Sequence, residues 1–299
     1  MTVVPVPTLE QWWAQGHHLP VRGRDGATYE VFVHDSGGPV VPEAALTPVA
    51  LVHGYPGSSY DWAAVVGLLS EHRRVVATDL LGFGASDKPR PHAWSIHEQA
   101  DLVEQVWAAL GLERVHVVAH DYGTIVAQEL LARRSRAVAG VVLLNGAVYP
   151  HLHQPTPVQR ALMADGGADL PAQITAEMFS AGLAATFGTA HPMTPVQGAD
   201  MWAGLTRAGG NLLMADLLHY VADRRTHGQR WVDALETTDL PVSAVWGLQD
   251  PVSGAHVLAH LRNRLPRVPI TELDAVGHWP LLEAPGAVAA HIEAAARDL

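Results

Sequence analysis

Six short runs dense in Val, Leu and Ile recur along the chain: PVALVHG (48–54), RVVATDLLG (74–82), RVHVVAHD (114–121), VAGVVLLNG (138–146), VSAVWGLQD (242–250) and VPITELDAVG (268–277). Apolar residues that run on rather than alternate fit strands covered on both faces, as in a parallel sheet. Ahead of them, residues 17–36 alternate around Arg24-Asp25-Gly26, and Asp-Gly between alternating segments predicts a hairpin. Helical patterns separate the runs. They cover 59–72, a helix opened by the capping box Ser95-Ile96-His97-Glu98 and ending near Gly111, Thr124 to Arg134, and Pro285 to Asp298. Alternating strand and helix predicts a mostly parallel α/β sheet with the hairpin as an antiparallel edge.

The alternation fails once. From Tyr149 to Thr238 no strand pattern stands out, and helical candidates fall at 156–164, 173–186, 198–206 and 211–224. The expected organisation is an α/β core of residues 1–148 and 239–299, interrupted by a helical cap at 149–238. No fixed-period repeat or low-complexity segment is present.

Composition narrows the function. The 299 residues carry 19 basic and 30 acidic side chains, a net charge of -11, with no Lys/Arg run. That balance excludes nucleic acid and an anionic membrane surface as expected partners. The absence of cysteine removes disulfide scaffolds, thiolate metal sites and cysteine nucleophiles. The histidine pairs His17-His18 and His151-x-His153 lack a carboxylate at ligand spacing, so neither a metal nor a cofactor is expected. The first residues lack a basic stretch followed by a long apolar one, and no apolar run is long enough to span a bilayer. A cytoplasmic protein acting on a small apolar organic molecule and water is therefore expected. Its oligomeric state is not readable.

In open α/β sheets, ligands bind at the carboxyl ends of strands. There the sequence places His53-Gly54-Tyr55-Pro56-Gly57, then Asp121 within Ala119-His120-Asp121-Tyr122-Gly123, then Asp250, then His278. The pattern small-x-nucleophile-x-small marks a tight strand-to-helix turn that exposes its central side chain. Here that side chain is aspartate, and no Gly-x-Ser-x-Gly occurs. A carboxylate nucleophile suits attack on an sp³ carbon, giving an alkyl ester of the enzyme. A base must then activate water, and His278 oriented by Asp250 matches that need. The backbone N–H groups of Tyr55 and Tyr122 are placed to stabilise the oxyanion of ester hydrolysis.

These residues resemble the α/β-hydrolase superfamily in its aspartate-nucleophile branch of epoxide hydrolases and haloalkane dehalogenases. His120-Asp121-Tyr122-Gly123 is similar to the His-Asp-Trp-Gly elbow of both, and the order Asp121, Asp250, His278 is that of the superfamily. HDYGTIVAQELL (120–131), DMWAGL (200–205), GNLL (210–213) and QRWVDAL (229–235) resemble more closely the group formed by the mesoderm-specific transcript protein and its bacterial relatives.

The resemblance implies epoxide opening to a vicinal diol. His53-Gly54-Tyr55-Pro56 matches the His-Gly-x-Pro loop of epoxide hydrolases, in which the x–Pro bond is cis. The side-chain donors that dehalogenases use for halide are replaced by Tyr122 and Tyr55. Epoxide hydrolases polarise the epoxide oxygen with two cap tyrosines. Tyr220 matches the second, whereas 150–200 holds no tyrosine. The pocket wall is expected to include His53, Pro56, His120, Tyr149, Trp202 and Trp279, with His53 also holding the oxyanion loop. Two alternatives stay open: dehalogenation by the same alkyl-enzyme route, and a catalytically silent binding protein that keeps the fold.

Overall fold

The structure is a computed structural model, described here for residues 5–38 and 46–296. Eight strands form one sheet: β1 (His17–Arg22), β2 (Thr28–Asp35), β3 (Val49–Val52), β4 (Val75–Thr78), β5 (Val115–His120), β6 (Val138–Leu144), β7 (Val242–Gly247) and β8 (Ile270–Leu273). Their spatial order is β1-β2-β4-β3-β5-β6-β7-β8. β1 and β2 form the predicted hairpin, with His17 opposite Val33 and Arg22 opposite Thr28, and Gly26 in the turn at φ +84°. β2 joins β4 antiparallel, and every later pairing is parallel. The central strands β3 to β6 are buried at every position, which is why their sequences do not alternate.

The helices are α1 (Leu9–Gln15), α2 (Ala63–Leu69), α3 (Ile96–Ala109), α4 (Tyr122–Ala132), α5 (Pro157–Met163), α6 (Ala176–Ala184), α7 (Pro195–Thr206), α8 (Tyr220–Thr237), α9 (Ala255–Arg264), α10 (Pro280–Glu283) and α11 (Pro285–Ala295). From β3 the chain crosses outward through α2 to β4. It then returns past β3 through α3 to β5. Right-handed crossovers in opposite directions put α2 and α3 on opposite faces. The strand order reverses between β3 and β5, so their carboxyl ends open a crevice there.

Several expected elements differ in detail. The helix expected over 59–72 begins as a 3-10 turn, Ser59–Trp62, before α2. Ser95 caps α3 through the Glu98 N–H at 3.2 Å, but Glu98 does not complete the capping box. Its carboxylate instead accepts from Arg24 N at 2.8 Å and His92 Nε2 at 2.6 Å. The last expected helix of the inserted segment, 211–224, is displaced. Residues 207–219 make 3-10 turns around a left-handed Ala208-Gly209, and the long helix is α8. Its charged stretch DRRTHGQRWVDAL (223–235) lacks an apolar stripe strong enough to reveal it. Among the described residues, no strand interrupts 145–241 and no helix is long and apolar enough to cross a membrane.

Candidate active site

Asp121 links β5 to α4 with φ 47° and ψ −114°. A positive φ at a residue bearing Cβ costs about 1–3 kcal/mol, so surrounding contacts must impose it. Thr124 does so: its N–H and its hydroxyl both donate to the Asp121 carbonyl, at 3.0 and 2.6 Å. The turn also needs glycine on both sides. A Cβ on Gly123 would lie 2.5 Å from the Val52 carbonyl oxygen, and one on Gly54 would lie 2.6 Å from the Asp121 Cβ.

The result is a carboxylate raised above the crevice. One oxygen, Oδ2, accepts from the Tyr55 N–H at 2.9 Å. The other, Oδ1, stands 3.7 Å from His278 Nε2. Tyr55-Pro56 is a cis peptide, as the His-Gly-x-Pro motif implied.

His278 lies in the loop after β8, where its N–H donates to the Thr186 carbonyl at 2.8 Å. Its Nδ1 donates to Asp250 Oδ2 at 2.8 Å. Asp250 is held from every side, accepting from Ser253 Oγ at 2.7 Å, Val252 N at 2.7 Å and Asn145 Nδ2 at 3.0 Å. Burial opposes ionisation of Asp250, yet the His278 charge and these hydrogen bonds hold its carboxyl well below the usual range. Burial likewise pushes the His278 imidazole down. The charge and hydrogen bond of Asp250, then the charges of Asp121 and Glu283, outweigh it and raise His278 to about 9.

A cavity of about 550 Å³ opens over these groups. Asp121, His278, Tyr55, Pro56 and Trp279 lie at its base, and Leu162, Phe179 and Leu183 are among the side chains that wall it from α5 and α6. The wall is apolar apart from a few amides and hydroxyls, among them those of Gln159, Gln173 and Thr186.

Four residues expected in the wall stand elsewhere. His53 is fully buried beneath the loop, its Nε2 accepting from Leu80 N at 3.0 Å and its Nδ1 lying 2.8 Å from the Gly54 carbonyl. The His120 ring turns under the base loop, where its Nε2 donates to the His278 carbonyl at 2.7 Å. Burial and then the His278 charge push His120 down to about 3, so it is a neutral prop. Tyr149 packs against His260 with ring centroids 4.4 Å apart, outside the cavity lining. Trp202 packs on the cavity-lining Phe179 at 5.4 Å without reaching the cavity itself.

The tyrosines divide by atom. The Tyr55 hydroxyl donates to the Met214 carbonyl at 3.0 Å, so its backbone faces Asp121 while its ring ties down the inserted segment. The Tyr122 hydroxyl lies 3.4 Å from His219 Nε2, and its ring meets Tyr220 edge-on at 5.3 Å. Tyr220 is buried behind the wall. Its hydroxyl accepts from Gln159 Nε2 at 3.4 Å, and Gln159 faces the cavity.

Three residues escaped the sequence reading. Asn145, at φ 23° after β6, clamps β7 by accepting from Gly247 N at 2.6 Å and donating to Gly247 O at 2.9 Å while also holding Asp250. Its position at a strand's carboxyl end was the available signal. Glu283 accepts from the N–H groups of Gly188, Gly277 and Trp279 at 2.8, 2.9 and 3.1 Å, and nothing in its sequence context marks it. Thr186 receives the Trp279 indole N–H at 2.9 Å.

This elbow, this sheet order and this strand-end carboxylate–imidazole pair coincide with what comparison finds. The family model for the alpha/beta hydrolase fold matches residues 47–285, and the chain belongs to that family of hydrolases. It is 40% identical to the human mesoderm-specific transcript homolog protein over 295 residues, covering 93% of this chain and 85% of that one. It is 37% identical over 289 residues to the putative hydrolase LipZ of Mycobacterium tuberculosis, covering 95% and 96%. Among solved structures, a putative ancestral haloalkane dehalogenase superposes with a TM-score of 0.77 at 20% identity, covering 94% and 98%, a likeness of fold.

Proposed function

We propose that the protein hydrolyses epoxides to vicinal diols through an ester on Asp121, with 149–238 serving as a cap that shapes the apolar cavity. The observation that carries this reading is the Asp121 carboxylate itself. It is held at a strained elbow in the cavity base, with a backbone N–H on one oxygen and His278 Nε2 3.7 Å from the other. A carboxylate there forms a stable alkyl ester only with a carbon electrophile.

In this reading Asp121 attacks an epoxide carbon, and the C–O bond breaks with its electron pair passing to oxygen. Tyr220, whose hydroxyl meets the cavity-facing Gln159 from behind the wall, is the proton donor in this reading. His278 then deprotonates water for attack on the ester, and the Tyr55 N–H steadies the oxyanion. Esterification removes the Asp121 charge that helps raise the imidazole, so the His278 pKa falls and its neutral, basic form becomes more populated at the step that needs it.

Haloalkanes are the competing electrophiles, given the likeness to dehalogenases. A halide needs N–H donors, and the indole at the cavity base is engaged: Trp279 Nε1 donates to Thr186 Oγ1 at 2.9 Å. That favours the epoxide. The test is intact-protein mass spectrometry of His278→Gln with an aryl epoxide or a bromoalkane. A gain equal to the whole epoxide, mapped to Asp121, supports the proposal. A gain of the alkyl group from the bromoalkane alone moves the reading to dehalogenation. A folded protein without adduct refutes an Asp121 ester from either class.

A further inference from the structure

Arg224 stands one turn beyond Tyr220 on α8, so both project from one helix face. It is 4% exposed, and its Nη2 is buried without a hydrogen-bond partner. The other arginine buried among the described residues, Arg73, and the half-buried Arg133 are both matched. Arg73 holds Glu293 through two bonds of 3.0 Å, and Arg133 reaches Asp101 and Glu104 at 2.6 and 2.8 Å. Among the described residues Arg224 forms no ion pair. A guanidinium stays charged at working pH, and an unpartnered buried charge weakens the fold. Arg224 is therefore poorly explained as a structural residue.

The groups that sense Arg224 identify what it serves. Burial pushes its pKa down, and the groups that push back are Tyr220 and Asp121. His153 senses it too: burial and then the Arg224 charge push this imidazole down to about 4. The His153 ring lies 6.3 Å from that of Tyr220. Arg224 is thus a fixed cation on the Tyr220 side of the nucleophile.

We infer that Arg224 is a positioning residue for charge. It stabilises the negative charge that leaves Asp121 and arrives on the Tyr220 oxygen as the epoxide opens, standing in for the first cap tyrosine, which 150–200 lacks. The inference rests on the Asp121 ester mechanism and deepens it. In the first step the Asp121 oxygen bonds to carbon, the epoxide C–O bond breaks towards its oxygen, and that oxygen takes the Tyr220 proton. The full negative charge of Asp121 then resides on the phenolate, beside Arg224. In the second step His278 takes a proton from water, the ester collapses to the Asp121 carboxylate and the diol, and that proton restores the Tyr220 hydroxyl. Only the first step moves charge towards Arg224, so only its transition state gains from the cation.

The test measures Asp121 labelling by styrene oxide in quenched time courses, in the His278→Gln background. Adding Arg224→Met should slow labelling roughly 100-fold, the usual effect of losing one group that stabilises developing charge. Arg224→Lys should recover part of the loss. Adding Arg224→Met to Tyr220→Phe should have little further effect, because the two act as a unit. Arg224→Met should also raise Tm, whereas a structural arginine would lower it. Unchanged labelling in Arg224→Met, or an equal loss with and without the Tyr220 hydroxyl, overturns the inference and leaves the ester mechanism standing. No label on His278→Gln itself overturns both.

Discussion

Asp121→Asn isolates the electrostatic hinge of the proposed cycle, because asparagine, like the ester, is neutral and nearly the same shape. His278 Nε2 and Asp121 Oδ1 are 3.7 Å apart. At that separation Coulomb's law gives about 1 kcal/mol in a water-like dielectric and about 4.5 kcal/mol at an effective dielectric of 20. Since one pKa unit is about 1.4 kcal/mol, the carboxylate is worth roughly 0.8 to 3 units to His278. Asp250 contributes more than Asp121 to holding His278 near 9, which puts the expected fall at the low end. The imidazole of Asp121→Asn should therefore titrate about one unit or more below wild type. Proton–nitrogen NMR of the histidine ring reads this directly. Linkage gives an independent sign. A folded-state pKa above the unfolded 6.5 supplies stability that is complete below about pH 6.5 and fades as pH rises through about 9. Denaturant titrations should show that alkaline decline shrinking in Asp121→Asn. A His278 titration unmoved by the substitution would refute the claim that esterification makes His278 a stronger candidate base by lowering its pKa.

Substitutions at three further residues probe the supports. Asn145→Ala removes the clamp on Gly247 and one hydrogen bond to Asp250; about 1–3 kcal/mol should be lost in urea unfolding, and ester hydrolysis should slow more than Asp121 labelling in single-turnover assays. Glu283→Ala strands three buried N–H groups and should cost about 3–5 kcal/mol by the same measurement. Glu283→Gln should recover part of this, since one oxygen accepts from both Gly188 and Gly277. Gly123→Ala drives a Cβ to 2.5 Å from the Val52 carbonyl oxygen; circular dichroism melts should show a marked loss of Tm, and any folded fraction should fail to be labelled at Asp121.

What the sequence disclosed follows from how local each signal is. β3 to β6 were readable because full burial leaves unbroken apolar runs, and the elbow because its glycine and its strand-to-helix turn are local in sequence. The apolar runs extend past the strands, and His53 and Asp250 stand beyond β3 and β7 at the carboxyl ends where they were expected, with Asn145 in the same position after β6. The cavity wall, by contrast, was misjudged. Aromatic size suggested Tyr149 and Trp202, yet α5 and α6 turn smaller side chains inward, such as Leu162 and Leu183. Helical periodicity cannot say which helix faces the site when every candidate is amphipathic. Arg224 was invisible because a charged residue on a charged helix reads as solvated. Only the packed structure reveals that it is buried and alone.

The wall and the base are also one mechanical unit, which bears on how substrate shape reaches the chemistry. The end of α6 and the residues after it, 183–188, lie directly against the loop that carries His278. A Cβ on Gly188 would lie 2.2 Å from the Ala275 carbonyl oxygen, and one on Gly277 would lie 2.3 Å from that of Thr186. Thr186 accepts the His278 N–H and the Trp279 indole, and Glu283 joins Gly188 to Gly277 and Trp279. Leu183 faces the cavity three residues before Thr186, whose N–H and hydroxyl both donate to the Leu183 carbonyl, at 2.9 and 2.6 Å. A substrate that presses on Leu183 therefore presses, through two short hydrogen bonds, on the carbonyl that fixes the His278 backbone. Pocket substitutions on α6 should then change the rate of ester hydrolysis together with binding, whereas those on α5, which shares no such bond with the loop, should change binding alone.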